Sequence, residues 1–261
     1  MFPRIDVLGV EVSAINMEMA IDAVNAWVER EERHYVCVTG VHGVMESQRD
    51  RQLAAIHNAS GLTTPDGMPM VWAGKAAGAH WMERVYGPNM MLAVLSQAHI
   101  RGWSSFFYGG APGVPELLAE RLAERFPGLE VAGTHSPPFR PLTPAEVEET
   151  AALINDSGAK LVWVGLSTPK QERWMAAMRP HLKAAVLFGV GAAFDFHTGR
   201  VKQAPAWMQR SGLEWLYRLS REPRRLWKRY LTNNPRFVLA ILRQRPQLVG
   251  PPPVSPQGER H

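Results

Sequence analysis

Leu161-Val-Trp-Val-Gly-Leu-Ser-Thr-Pro-Lys-Gln-Glu-Arg173 is the stretch on which the fold turns. An apolar run ends at Gly165, a short polar loop follows, and a helical stretch opens within a few residues. A buried strand that feeds a helix in this way is the repeating unit of a parallel sheet covered on both faces. In the loop, Ser167 or Thr168 reads as the N-cap and Pro169 as the first helical residue. The same order recurs on either side. Strand-like runs at Ile5–Val10, Tyr35–Thr39, Gly61–Thr64, Trp103–Tyr108, Leu129–Gly133 and Ala185–Gly189 alternate with helical stretches at Met17–Arg30, His42–Asn58, Met90–Arg101, Val114–Phe126, Pro144–Ser157 and Gln171–Leu182. This alternation predicts the α/β class, a Rossmann-like, mainly parallel sheet with helices on both faces. Sheets of that kind bind ligands outside the carboxyl ends of their strands.

Charge divides the chain. Residues 200–245 hold 12 Lys/Arg against Glu214 and Glu222, whereas residues 1–199 hold 16 basic and 21 acidic side chains. The expected organisation is therefore an α/β core over 1–199, a basic, aromatic-rich helical appendage over 200–245, and a tail over 246–261 whose composition suits disorder. One cysteine, Cys37, lies in an apolar strand-like run, which excludes a disulfide framework and suits a structural role in a reducing cytosol. Arg4, Asp6 and Glu11 interrupt any secretory leader. The longest run free of charge, Val85–Ile100, is shorter than the roughly 20 residues a spanning helix needs, so membrane contact is expected to be peripheral.

Four strand-end loops carry polar residues suited to chemistry. Tyr108-Gly-Gly-Ala-Pro-Gly-Val114 opens a helix, and Gly109 and Gly110 let backbone amides approach an anion, so the loop reads as a diphosphate cradle or as a plain glycine turn. In the Gly165–Arg173 loop, Lys170 and Gln171 occupy a first helical turn that disfavours cations, which points to a bound anion or polar ligand. Thr63-Thr-Pro-Asp-Gly-Met-Pro69 places Asp66 at the end of one strand, beside Thr39 and His42 at the end of its neighbour. Asp66 suits a general base, with His42 the alternative. Asp195, between Phe194 and Phe196, suits binding rather than catalysis. The nine histidines are scattered without metal-ligand spacing, and no nucleophilic serine elbow of the G-x-S-x-G type occurs, so no metal, no cofactor and no hydrolase chemistry is expected.

Thr64-Pro-Asp-Gly67, Glu83-Arg-Val-Tyr-Gly87, Gly165-Leu-Ser-Thr-Pro-Lys-Gln-Glu172 and Gly189-Val-Gly-Ala-Ala-Phe-Asp-Phe196, in that order, resemble the WecG/TagA/CpsF family of bacterial glycosyltransferases from about residue 5 to about residue 240. The resemblance implies an inverting, metal-independent transfer of a sugar, in several members N-acetylmannosamine or its uronic acid. The donor is a UDP-sugar and the acceptor a saccharide on undecaprenyl diphosphate, at the inner face of the cell membrane. It implies Asp66 as base and Thr39 as the donor-site residue beside it. Gly67, Arg84 as a phosphate partner and Gln171 as a donor-pocket hydrogen bonder then join His42, Gly109, Gly110 and Asp195 as substrate-binding positions. Two departures stand out. Val41 occupies the place of the family's usual Asn, and Gln203-Ala-Pro205 that of its usual Arg-Ala-Pro, which leaves Lys202 or Arg200 to replace an anion contact.

The appendage interleaves Trp207, Trp215, Tyr217, Trp227 and Tyr230 with cations, of which Arg218, Arg221, Arg225 and Arg229 share one side of a helix unless Pro223 breaks it. Such a helix is expected to bind an anionic membrane surface reversibly. Nucleic-acid binding through the same residues, and a nonenzymatic nucleotide-binding regulator, are the competing readings. Charge confined to one appendage, and a pocket-forming core with no recognisable reading module, count against the first, so no nucleic-acid partner is expected. A core without its tail leaves apolar surface that a homo-oligomeric partner would cover.

Overall fold

The computed structural model describes residues 2–250, and the expected disordered tail from residue 251 onward lies outside the described residues. In chain order the strands are β1 (Arg4–Val7), β2 (Val10–Ser13), β3 (His34–Thr39), β4 (Leu62–Pro65), β5 (Ser105–Gly109), β6 (Val131–His135), β7 (Leu161–Gly165), β8 (Val186–Gly189) and β9 (Gln247–Val249). The helices are α1 (Met17–Glu29), α2 (Val41–Ser47), α3 (Arg51–Asn58), α4 (Met68–Ala76), α5 (Gly87–Arg101), α6 (Val114–Arg125), α7 (Pro144–Asp156), α8 (Lys170–Met178), α9 (Ala193–His197), α10 (Ala206–Arg210), α11 (Glu214–Arg221) and α12 (Pro223–Arg243).

Six strands form one parallel sheet in the order β4-β3-β8-β7-β5-β6, the expected Rossmann-like architecture. Alternation along each strand sends side chains to opposite faces. Leu161 and Trp163 join a core with α1, α5, α6 and α9, while Val162 and Val164 join a second core with α7 and α8. Trp163 is fully buried, lies flat against Phe188 at 4.3 Å between ring centres, and donates its indole N–H to Ser105 Oγ. Cys37 is buried in the second core, free of any disulfide. Helices α6 and α9 leave β5 and β8 toward one face, and α8 leaves the intervening β7 toward the other. The loops therefore part above β7, the kind of place at which sheets of this class bind ligands.

Several boundaries differ from the sequence reading, each for a local reason. Ile5–Val10 is a hairpin instead of one strand, because Leu8 and Gly9 both take positive φ (56° and 81°) and turn the chain between β1 and β2. The expected helix over His42–Asn58 breaks where Asp50 accepts the amides of Gln52 and Leu53 and starts α3 afresh. Helix α8 begins at Lys170, so Ser167 and Thr168 do not cap it; Ser167 takes a left-handed φ of 63° and Thr168 Oγ1 donates to Glu172. Helix α4 had no counterpart in the sequence reading. At the far end, β9 pairs antiparallel with β1, so residues 247–249 belong to a small sheet, β2-β1-β9. A third core gathers Ile5, Val7, Val10 and Val12 with Val44, Met70, Met82 and Phe237 of α12, which docks the basic appendage onto the core.

Gly109 has a steric reason to be glycine. Its φ is 118°, and a Cβ there would lie 2.7 Å from the carbonyl oxygen of Gly165 on the adjacent strand. Gly109→Ala is expected to lower stability by about 2–4 kcal/mol, the sum of backbone strain and forced overpacking, read as a lower midpoint in chemical denaturation.

Candidate active site

Asp66 stands where β4 leaves the sheet. Its amide donates to the carbonyl of Thr39 at the end of β3 (3.0 Å), which fastens the Thr64-Pro-Asp-Gly67 turn to the neighbouring strand. Its carboxylate faces the first turn of α5 and accepts the Gly87 amide through Oδ1 (3.4 Å), a favourable place for negative charge. Gly40 lies opposite, where a Cβ would stand 3.9 Å from Oδ2, an ordinary contact distance. Burial pushes the Asp66 carboxyl up from 3.8 to about 6, opposed by the Arg84 guanidinium and reinforced by Glu214. A carboxylate with that affinity for protons is suited to general-base work near neutrality.

His42 lies in the same cavity but is a poor base. Burial, with Arg229 and Arg49 nearby, pushes its imidazole down to about 3. Its Nδ1 accepts from the amide of Asn233 (3.3 Å), whose own Oδ1 accepts from Arg49 (3.3 Å). Asn233 is buried, and through these bonds it latches α12 to α2. Of the two side chains, Asp66 has the environment better suited to a base near neutrality.

Arg84 uses each of its three nitrogens. Nε donates to the backbone carbonyl of Asp66 (2.8 Å), NH1 to Gln209 (3.3 Å) and NH2 to Glu214 (2.5 Å), and the guanidinium lies 4.0 Å over the Tyr86 ring. Tyr86 in turn donates its hydroxyl to Glu214 (3.2 Å). These bonds tie the Asp66 loop to α10 and α11, and Arg84, the residue expected at a phosphate, still lines the cavity. Two other guanidiniums stand with it. Arg218 and Arg229 both line the cavity, and the Nε of each is shielded from solvent without a hydrogen-bond partner among the described residues. A donor so placed is costly unless a ligand meets it.

The four arginines expected on one membrane face thus divide. Arg221 and Arg225 are exposed, and Arg225 pairs with Glu222 (2.6 Å), whereas Arg218 and Arg229 turn inward. The break between α11 and α12 at Glu222–Pro223 is the cause. The cavity measures about 640 Å³, and Thr168 of the loop after β7 reaches it. Gln171, Gly109, Gly110 and Asp195 lie along the same carboxyl edge without lining it. Gln171 is buried; its amide donates to the Gly189 carbonyl and to Glu172, and its Oε1 has no partner among the described residues. Asp195 is half-exposed at 3.9 Å from Arg200. Among the described residues, no three His, Cys, Asp or Glu side chains gather as a metal site. Glu214 and Asn233, which hold the cover in place, carried no signal in the sequence beyond an isolated acid and an amide inside a basic stretch.

A buried carboxylate at the edge of a parallel sheet, in one cavity with inward-facing guanidiniums, is an arrangement suited to group transfer in an α/β enzyme. Within that class the chain belongs to the WecG/TagA/CpsF family of glycosyl transferases, whose profile matches residues 5–249. Two relatives agree in name, each an N-acetylglucosaminyldiphosphoundecaprenol N-acetyl-beta-D-mannosaminyltransferase. The one from Bacillus spizizenii is 32% identical over 198 residues, 76% of this chain and 74% of the relative. The one from Bacillus subtilis strain 168 is 29% identical over 196 residues, 75% and 74% of the two chains. The chain is a glycosyltransferase.

Proposed function

We propose that this enzyme moves an N-acetylmannosamine-type or related hexose from a UDP-sugar to a saccharide carried on a polyprenyl diphosphate, with inversion. The observation that carries the reading is Asp66, held near a pKa of 6 in the same cavity as Arg218 and Arg229. The acceptor hydroxyl gives its proton to the Asp66 carboxylate as its oxygen attacks the anomeric carbon. The bond from that carbon to the UDP oxygen breaks, its electron pair leaves with the diphosphate, and one displacement inverts the centre. Arg218 and Arg229 supply the charge that meets the departing diphosphate, while Arg84 fixes the base and its cover. Thr39 borders the base, and Gln171, Gly109 and Gly110 extend the donor site along the sheet edge.

Association with the inner face of a membrane completes the reading. No helix among the described residues is long and apolar enough to cross a bilayer. Helix α12 instead exposes Trp227, Leu231, Val238 and Leu242 beside Arg224, Lys228, Arg236 and Arg243, a pattern suited to the headgroup boundary. The test is mass spectrometric detection of UDP release from a panel of UDP-sugars, with N-acetylglucosaminyl diphosphate lipid as acceptor. Turnover with one donor is expected, unchanged by EDTA. Loss of turnover in EDTA, restored by magnesium, would replace the arginines with a metal as the partner of the leaving group.

A further inference from the structure

The cavity that holds Asp66 has a second arm, lined by Trp72 and Ala76 of α4 and by Val238, Ile241 and Leu242 of α12. These side chains form an apolar wall that remains open to solvent: Trp72 is 51% exposed, Val238 55% and Leu242 73%. The wall is built, not incidental. Gly212, at φ 75° in the turn between α10 and α11, passes over the Trp72 ring so closely that a Cβ would meet its edge at 2.8 Å. Below, Phe237 is buried in the third core and seats this half of α12 against the small sheet.

Resting on the transferase reading above, we propose that this arm is an isoprenoid subsite that grips the first units of the acceptor's polyprenyl chain. The continuity of the cavity supports it. Asp66 and the apolar side chains of α4 and α12 line the same cavity, and its apolar residues Trp72, Val238 and Leu242 are exposed. An acceptor of this kind carries a saccharide hydroxyl at one end, which must meet the base, and a hydrocarbon chain at the other. The apolar lining matches the hydrocarbon, and the chain leaves toward the surface expected to lie on the membrane. Apolar surface of this extent beside a binding site is the mark of a ligand groove.

The test uses the full chain in solution without vesicles or detergent, so that membrane binding plays no part. N-acetylglucosaminyl diphosphate is supplied with either an ethyl or a farnesyl group. For the wild-type enzyme, kcat/KM is expected to be about tenfold or more higher with farnesyl, a modest return for three isoprene units in an apolar groove. Ala76→Trp, a change at an exposed helical position, fills the arm and should reduce that farnesyl-to-ethyl ratio about tenfold. Equal kcat/KM for both acceptors in the wild type, or a ratio untouched by Ala76→Trp, overturns the subsite. If Ala76→Trp shifts sedimentation from dimer to monomer with the ratio unchanged, a second copy occupies the arm and the proposal fails. Absence of turnover with both acceptors would sink the transferase reading instead. Farnesyl diphosphate binding by calorimetry then decides the groove, since Ala76→Trp must weaken it about tenfold for the subsite to stand, and equal binding refutes it.

Discussion

Asp66→Asn is expected to lower turnover about 100-fold or more, the usual size of a general-base contribution, while donor affinity changes little. The amide preserves the shape of the turn and removes the proton acceptor. The free enzyme's kcat/KM should fall on the acid side with a midpoint near pH 6, where the Asp66 carboxyl protonates. The same substitution should raise stability. Because the folded-state pKa, about 6, lies above the ordinary 3.8, the folded protein holds the proton more tightly than the unfolded chain does. Folding therefore loses stability as pH rises from about 4 to about 6, and above that the full penalty of a buried charge applies. Asn escapes it, so the variant should gain about 1–3 kcal/mol above pH 6 and nothing below pH 4, at about 1.4 kcal/mol per pKa unit. Thermal melts at pH 4 and pH 8 measure this. A variant that keeps near-normal turnover, or His42→Gln proving more damaging, would move the base to His42.

The sheet was legible because its central strands β5, β7 and β8 are buried on both faces and read as apolar runs; Leu161–Gly165 agrees with β7 to the residue. The hairpin was not, since Leu8 is a residue that seldom takes a left-handed φ and gives no turn signal of its own. Helix α4 escaped notice because Met68-Pro-Met-Val-Trp-Ala-Gly-Lys-Ala76 has no polar stripe, packed as it is between the third core and the cavity. At the site, strand-end position alone brought Asp66, Thr39 and His42 together, because ligands of parallel sheets meet the carboxyl edge. Periodicity could not assign the tail arginines. On one continuous helix Arg218, Arg221, Arg225 and Arg229 fall on one side, and only the interruption at Glu222–Pro223 sends Arg218 and Arg229 inward. Nor does the sequence reveal that Glu214 reaches across 130 residues to Arg84.

That division among the arginines is the basis of the other large effect. Arg218→Ala and Arg229→Ala are each expected to lower turnover about 100-fold to 1000-fold, the range found when one group that stabilises developing negative charge is removed. The loss should be the same on a soluble acceptor and on one embedded in a bilayer, and UDP should bind more weakly, since the charge is present before the bond breaks as well as after. Arg221→Glu with Arg225→Glu should behave in the opposite way. Both side chains are exposed, so turnover on the soluble acceptor should persist while binding to anionic vesicles falls. Residual vesicle binding by Arg224, Lys228, Arg236, Arg243 and Arg245, all exposed, should then vanish as salt shortens the screening length from about 10 Å at 0.1 M to about 3 Å at 1 M. Because Arg229 also lies beside His42 in the contact of α12 with α2, Arg229→Lys separates charge from packing. A lysine keeps the charge without the planar fork, so partial recovery assigns Arg229 to the diphosphate. Full activity in Arg218→Ala and Arg229→Ala together would remove both from the chemistry and leave the diphosphate to the loops after β5 and β7.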